Sequence, residues 1–310
     1  MREITNPCKN EVNFVGKLLS MEIREGNSKE KGLPYVSARY VTRVEQTYDG
    51  VTDRNDIQHE AFAMKFDNEG KITPAYQGIM RAKDMKTVAD YGNDEASWIK
   101  VGNGRYAGKL TENIYARRDG SGVASSTRIE TRFTSTVSNP PEDGPYATFV
   151  VEGYIFDKAE EMDAEGEPTG RLVLTVGVVQ YGERLDVFKM FVEAPQKVDW
   201  VSRNWDVGMT VLIRGRIRSC VREVATSTGG WGDAVPGETA PRTVRELIVT
   251  GGNDEALDEE MCYDEDEIRK LYNARKMRME QIMLNAKKPA PAQAAAAAAP
   301  TQKKRPAWEM

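Results

Sequence analysis

Residues 208–219 read GMTVLIRGRIRS. From Val211 onward, Val211, Ile213, Gly215 and Ile217 fall on one side of an extended chain, and Arg214, Arg216 and Arg218 on the other. Side chains alternate faces along a β-strand, and neighbours on one face stand roughly 6.6 Å apart. The stretch therefore predicts a strand with one face in a core and three guanidinium groups in a row on the other. Neither flanking position on that face, Leu212 or Cys220, carries a negative charge. A polyanion lying along the strand would account for such a row.

Strand patterns of the same kind occupy most of residues 10–250. EVNFVGKLLSMEI (11–23), YVSARYVTRVEQ (35–46) and IQHEAFAMKF (57–66) are rich in β-branched and aromatic residues and bordered by turn formers. TPAYQGIMRAKDMKTVADYG (73–92) is a helix candidate with Gly92 as its stop, and strand patterns resume through residues 96–137. SNPPEDGPY (138–146) has no periodicity and reads as a linker. The pattern then restarts with ATFVVEGYIFDKAEEM, RLVLTVGVVQYG and RLDVFKMFVEA, a short helix candidate APQKVDWVSRNWDVG, and the strands MTVLIRGRIRSCVREV and RTVRELIVTGG.

The two halves echo each other. FVGKLLS (14–20) and VEGYIFD (151–157) place a glycine early in a long first strand, and YAGKLTE (106–112) and LIRGRIR (212–218) place one in a strand after the helix. Three strands, a helix and two strands, given twice, is the order of an oligonucleotide/oligosaccharide-binding (OB) barrel. A glycine in the first strand suits the sharp bend that lets one strand serve both sheets. The expected fold class is mainly β: two OB-fold-like Greek-key barrels in tandem (1–137 and 147–252), then an acidic segment with an amphipathic helix (253–287) and an Ala/Pro-rich disordered tail (288–310).

The strand order, the V-x-G opening and the GMTVLIRGRI strand resemble bacterial and phage single-stranded DNA-binding proteins, well over about 145–250 and more loosely over 10–137. The resemblance implies a non-enzymatic protein that coats unpaired DNA in replication or recombination, with binding to RNA left open. The tandem arrangement departs from the common single-barrel form. Recruitment of replication or recombination proteins by a C-terminal tip is a feature of that family, but KKRPAWEM (303–310) is basic where the family tip is acidic.

Gripping a single strand needs cations for phosphates and aromatic faces for bases. In the second half these are Arg214, Arg216 and Arg218, with Tyr154 and Phe156 on strand one, Arg171, Tyr181, Arg184 and Lys189 on or beside strands two and three, and Trp231 in the loop before the last strand. In the first half they are Arg39 and Arg43, then Lys109, Tyr115 and Arg117 on one face of KLTENIYAR, and Arg128 and Arg132 near the last strand. Phe62, Met64, Phe66 and Phe149 are expected in the core, and Trp200 and Trp205 are expected to pack a helix onto the barrel bottom. The helix within 264–285 is expected to pack on a barrel or a second subunit.

Composition sets outer bounds. The chain has 310 residues and a net charge of -5, but NDEALDEEMCYDEDE (253–267) holds nine acids and no base, and the remainder has 43 basic residues against 39 acidic ones. Local charge, more than the sum, decides what a surface attracts. Three scattered cysteines, Cys8, Cys220 and Cys262, fit a reducing compartment, and with no apolar leader or membrane-length run the expected location is the cytoplasm. His59 is the only histidine, so neither a Cys/His zinc site nor a nucleophilic constellation is expected, and no cofactor. GNGRYAGKL (102–110) misses the phosphate-loop pattern at Asn103 and Leu110. Two rival readings are an assembly protein whose barrels bind an acidic protein, and an accessory factor acting through its C-terminal helix.

Overall fold

A computed structural model describes the chain apart from residues 1, 49, 103–105, 118–119, 164, 226–238, 256 and 288–310; for 220–225, 239–244 and 287 it describes the backbone alone. Trp231 and the tail 288–310 lie outside the described residues.

The second half closes as a five-stranded barrel. β8 (Tyr146–Met162), β9 (Pro168–Gln180) and β10 (Arg184–Val192) form an antiparallel meander. After α3 (Pro195–Asn204), β11 (Thr210–Ala225) pairs back onto β8, and β12 (Thr239–Gly252) runs antiparallel to β11 and parallel to β10. This is the strand order of an OB barrel. Gly153 is required at its bend, since a Cβ there would fall 2.3 Å from Val176 Cγ1. The register of β8 against β9 shifts just beyond it, between Ile155 and Asp157.

The first half repeats the plan with an insertion. β1 (Asn10–Asn27), β2 (Pro34–Tyr48) and β3 (Val51–Met64) form the meander, and β1 shifts register between Leu18 and Ser20. Its Gly16 corresponds to Gly153, for a Cβ would lie 2.2 Å from the Arg43 carbonyl oxygen. The expected helix over 73–92 forms as α1 (Pro74–Arg81), a 3-10 turn and α2 (Val88–Tyr91). Thr73 and Thr87 each accept a backbone N–H at a helix start, and Met85 is extended, so the second cap interrupts what would have been one helix. Next come β4 (Trp98–Val101), β5 (Lys109–Ala116), β6 (Val123–Thr131) and β7 (Ser135–Val137). β6 runs parallel to β3, and β5 closes onto β1 through a bridge between Val12 and Gly108, while β4 pairs with β1 and β7.

The halves are fused at their first strands. Asn10–Val15 of β1 pairs antiparallel with Tyr146–Val151 of β8, so Tyr146 is already sheet. Phe14, Ile57, Leu110 and Ile129 from the first half share one apolar core with Phe149, Ile155, Phe188 and Ile217 from the second. A smaller core of Leu18, Tyr40, Ile79 and Ile99 lies under α1. Trp205 is buried, as expected, and meets Trp200 edge to face at 5.8 Å. Buried amides cross the seam: Gln46 donates to the Ile217 carbonyl and accepts from Ala147 N–H, and Asn55 accepts from Ser219 N–H.

α4 (Glu265–Lys287) packs on this chain's own barrels. Ile268 and Leu271 are buried, Tyr272 stacks on Phe156 at 4.7 Å, and Arg275 donates to the carboxylate of Glu112 on β5 at 2.7 Å. Cys8 is buried, and that burial raises its thiol pKa. No helix among the described residues is long and apolar enough to cross a membrane.

Candidate nucleic-acid interface

The arginine row of β11 forms as drawn, but its members differ. Arg214 is exposed, with no ion pair among the described residues. Arg216 pairs with Asp53 of the first barrel at 2.6 Å and lies over the Tyr48 ring at 4.5 Å. Arg218 pairs with Glu193 and, at 2.5 Å, with Glu246, the residue directly opposite it on β12. Arg171 meets Glu161 at 3.2 Å, Glu246 at 3.4 Å and Glu193 at 3.5 Å. Burial works against the Arg218 charge, yet the bonds to Glu246 and Glu193 outweigh it and hold its pKa above the ordinary guanidinium value. The flanking positions carry no acid, as read, but the row is not free for a polyanion: acids on adjacent strands and on the β2–β3 hairpin meet Arg216 and Arg218.

The strand-one aromatics are also corrected. Tyr154 is 5 % exposed, and Phe156 is sandwiched between Tyr154 and Tyr272. Tyr154 is buried and Phe156 is stacked against Tyr272 of α4, so neither ring is open to a base.

The first barrel presents a different surface. A groove of about 780 Å³ runs across the outer faces of β1, β2, β3, β6 and β5 and is bounded by the β9–β10 turn of the second barrel. It brings together Arg39, Lys109, Arg132, Tyr181 and Arg184 of the expected residues and adds Arg24 and Phe62. Its five cations face three acids: Glu22, held by Arg24; Glu60, shared by Arg39 and Arg128; and Glu130, which accepts from Thr111. Arg184 pairs with Asp186 at 2.9 Å. Lys109 and Arg132 have no ion pair among the described residues, so the groove keeps a positive field. Tyr181 is 85 % exposed at the turn, and its neighbour Gln180 is buried in the groove floor, donating to the Leu110 carbonyl at 3.1 Å.

Phe62 corrects a core expectation. It is 58 % exposed and lies beside Tyr35, ring centroids 5.3 Å apart, and Phe66 is exposed too. The inner positions of β3 are Ile57, His59, Ala61 and Ala63. His59 lies between Phe14 and Tyr40 with its ring nitrogens bonded to Thr42 and Thr131, and burial pushes its pKa down to about 3. The remaining candidates lie outside the groove. Arg43 forms a two-bond pair with Asp56, Arg128 sits at the groove edge on Glu60, and Lys189, Tyr115 and Arg117 are exposed elsewhere. A residue that strand reading missed is Arg245 of β12, whose guanidinium donates to the carbonyls of Gln58 and Thr127 across the seam.

Strand order and groove together define a tandem OB-barrel protein with a cationic, aromatic-flanked cleft on its first barrel. Residues 9–285 match the family model described as YorF, and the chain belongs to the YorF family. No curated protein matches it. Among solved structures, it is similar to a deletion mutant of the single-stranded DNA binding protein from Thermus aquaticus, at 12 % identity and TM-score 0.47, covering 81 % of this chain and 97 % of that one. It is also similar to a replication protein A heterotrimer bound to single-stranded DNA, at 9 % identity and TM-score 0.22, covering 91 % and 72 %.

Proposed function

We propose that this protein binds single-stranded DNA, largely without sequence preference, in the first-barrel groove, and protects unpaired strands during replication or recombination in the cytoplasm. The observation that carries the reading is the pairing of two exposed cations with no ion pair among the described residues, Lys109 and Arg132, with two exposed rings, Phe62 and Tyr181, in one cleft. Cations that track a backbone and rings on which successive bases stack are the two requirements of sequence-tolerant binding. The role is binding and not catalysis, and His59 fits this, being sealed in the core with both ring nitrogens occupied.

Titration with oligo-dT at two salt concentrations tests the reading. For single strands, log affinity falls with log salt by about 0.7 per neutralised phosphate. Lys109→Ala/Arg132→Ala is expected to weaken binding at low salt about tenfold or more and to flatten the slope by about 1.4, two phosphates' worth. Unchanged affinity and slope in the folded double variant would overturn the assignment.

A further inference from the structure

A second cavity, of about 350 Å³, opens between the end of α3 and the segment that follows β12. Its apolar lining includes Trp205, Met209, Val211 and Leu257, and Asp254 and Glu255 stand on its rim. It shares no lining residue with the groove. Trp205, only 2 % exposed, has its indole Nε1–H buried without an acceptor. Asp254 and Glu255 are exposed and have no ion pair among the described residues, and neither do Asp258, Glu259 and Glu260 close behind them.

Such a cavity suits a peptide that offers adjacent cations to the rim and one large apolar side chain to the interior. KKRPAW (303–308) has these features in Lys303, Lys304, Arg305 and Trp308. The chain length permits the return. α4 begins three residues beyond Cys262, which lines the cavity, and its 23 residues lead away over about 35 Å. Residues 288–302 can span about 50 Å when extended. We propose that the cavity beside Trp205 is the docking site for segment 303–308 of the same chain.

The test uses the full chain and a labelled, amidated peptide, TQKKRPAW. In the unaltered protein the chain's own segment competes at the high effective concentration of an intramolecular ligand. A variant with Lys303, Lys304, Arg305 and Trp308 all changed to alanine leaves the cavity open, so it is expected to bind the peptide at least tenfold more tightly than the unaltered chain. Adding Asp254→Asn and Glu255→Gln to that variant is expected to remove at least tenfold of the gain, and a scrambled peptide should not compete. Equal binding by the unaltered and open-segment chains would overturn docking within the chain; binding indifferent to Asp254 and Glu255 would overturn the site. Oligo-dT affinity of the same variants reports on the groove separately.

Discussion

The first barrel holds Lys109 and Arg132 on an open face with no ion pair among the described residues, whereas the second holds Arg171, Arg216 and Arg218 inside a mesh of Glu161, Glu193, Glu246 and Asp53. Both barrels therefore cluster cations on their sheets, but among the described residues those of the first are the more open to an anion from solution. In the mesh three guanidinium groups meet four carboxylates among the described residues, so these arginines are already neutralised. Arg216 and Tyr48 also tie the second barrel to the β2–β3 hairpin of the first. Cations thus clasp two barrels in one place and draw a ligand in the other; an acid stands opposite in both, Glu246 across from Arg218 and Glu130 across from Lys109, but only the first pair is in ion-pair contact among the described residues.

The largest expected effect tests the clasp. Arg218→Ala takes from Glu246, which is fully buried, a cation at 2.5 Å, leaving Arg171 at 3.4 Å among the described residues. Removing one partner of a buried pair typically costs about 3–5 kcal/mol, and the residual contact to Arg171 places this variant near 3 kcal/mol. Urea unfolding should show that loss, while the folded variant should bind oligo-dT within about twofold of the unaltered chain. A variant of unchanged stability but sharply weakened binding would exchange the roles of the two barrels.

Next in size is the contribution of the groove aromatics. Phe62→Ala and Tyr181→Ala should each weaken oligo-dT binding by about 1–3 kcal/mol, the worth of one stacked base. Both rings are mostly exposed, so the folded state should hardly notice. Tyr115→Ala, exposed but outside the groove, is the matched control and should change binding less than twofold. An equal loss from Tyr115→Ala would mean that the path of the strand is wider than the groove.

Much of the fold was legible because period-2 alternation and the early-strand glycines are local signals. Gly16 and Gly153 are needed where expected, and both barrels follow the expected strand order. The site was legible only in part, because ion pairing depends on register across strands. Glu246 lies opposite Arg218 through the β11–β12 register, and Asp53 reaches Arg216 from the other barrel, neither of which spacing along one strand reveals. Phe62 was misread although its signal was present: it continues the parity of Asp56, Gln58 and Glu60, which is the outer one, while Ile57, His59, Ala61 and Ala63 turn inward. Tyr154 and Phe156 share the face expected of them, but α4, distant in sequence, covers it.

The smallest expected effect concerns Arg214, the one member of the β11 row outside the mesh. It is exposed, has no ion pair among the described residues and lies outside the groove lining. Arg214→Ala should therefore leave stability within about 0.5 kcal/mol and change the salt slope of oligo-dT binding by less than the roughly 0.7 that one phosphate contributes. The slope is the sharper measurement here, because a distant cation can alter affinity slightly through the general field without touching a phosphate. A drop of a full 0.7 would mean that the strand leaves the groove and continues along β11, so that the second barrel contributes through Arg214.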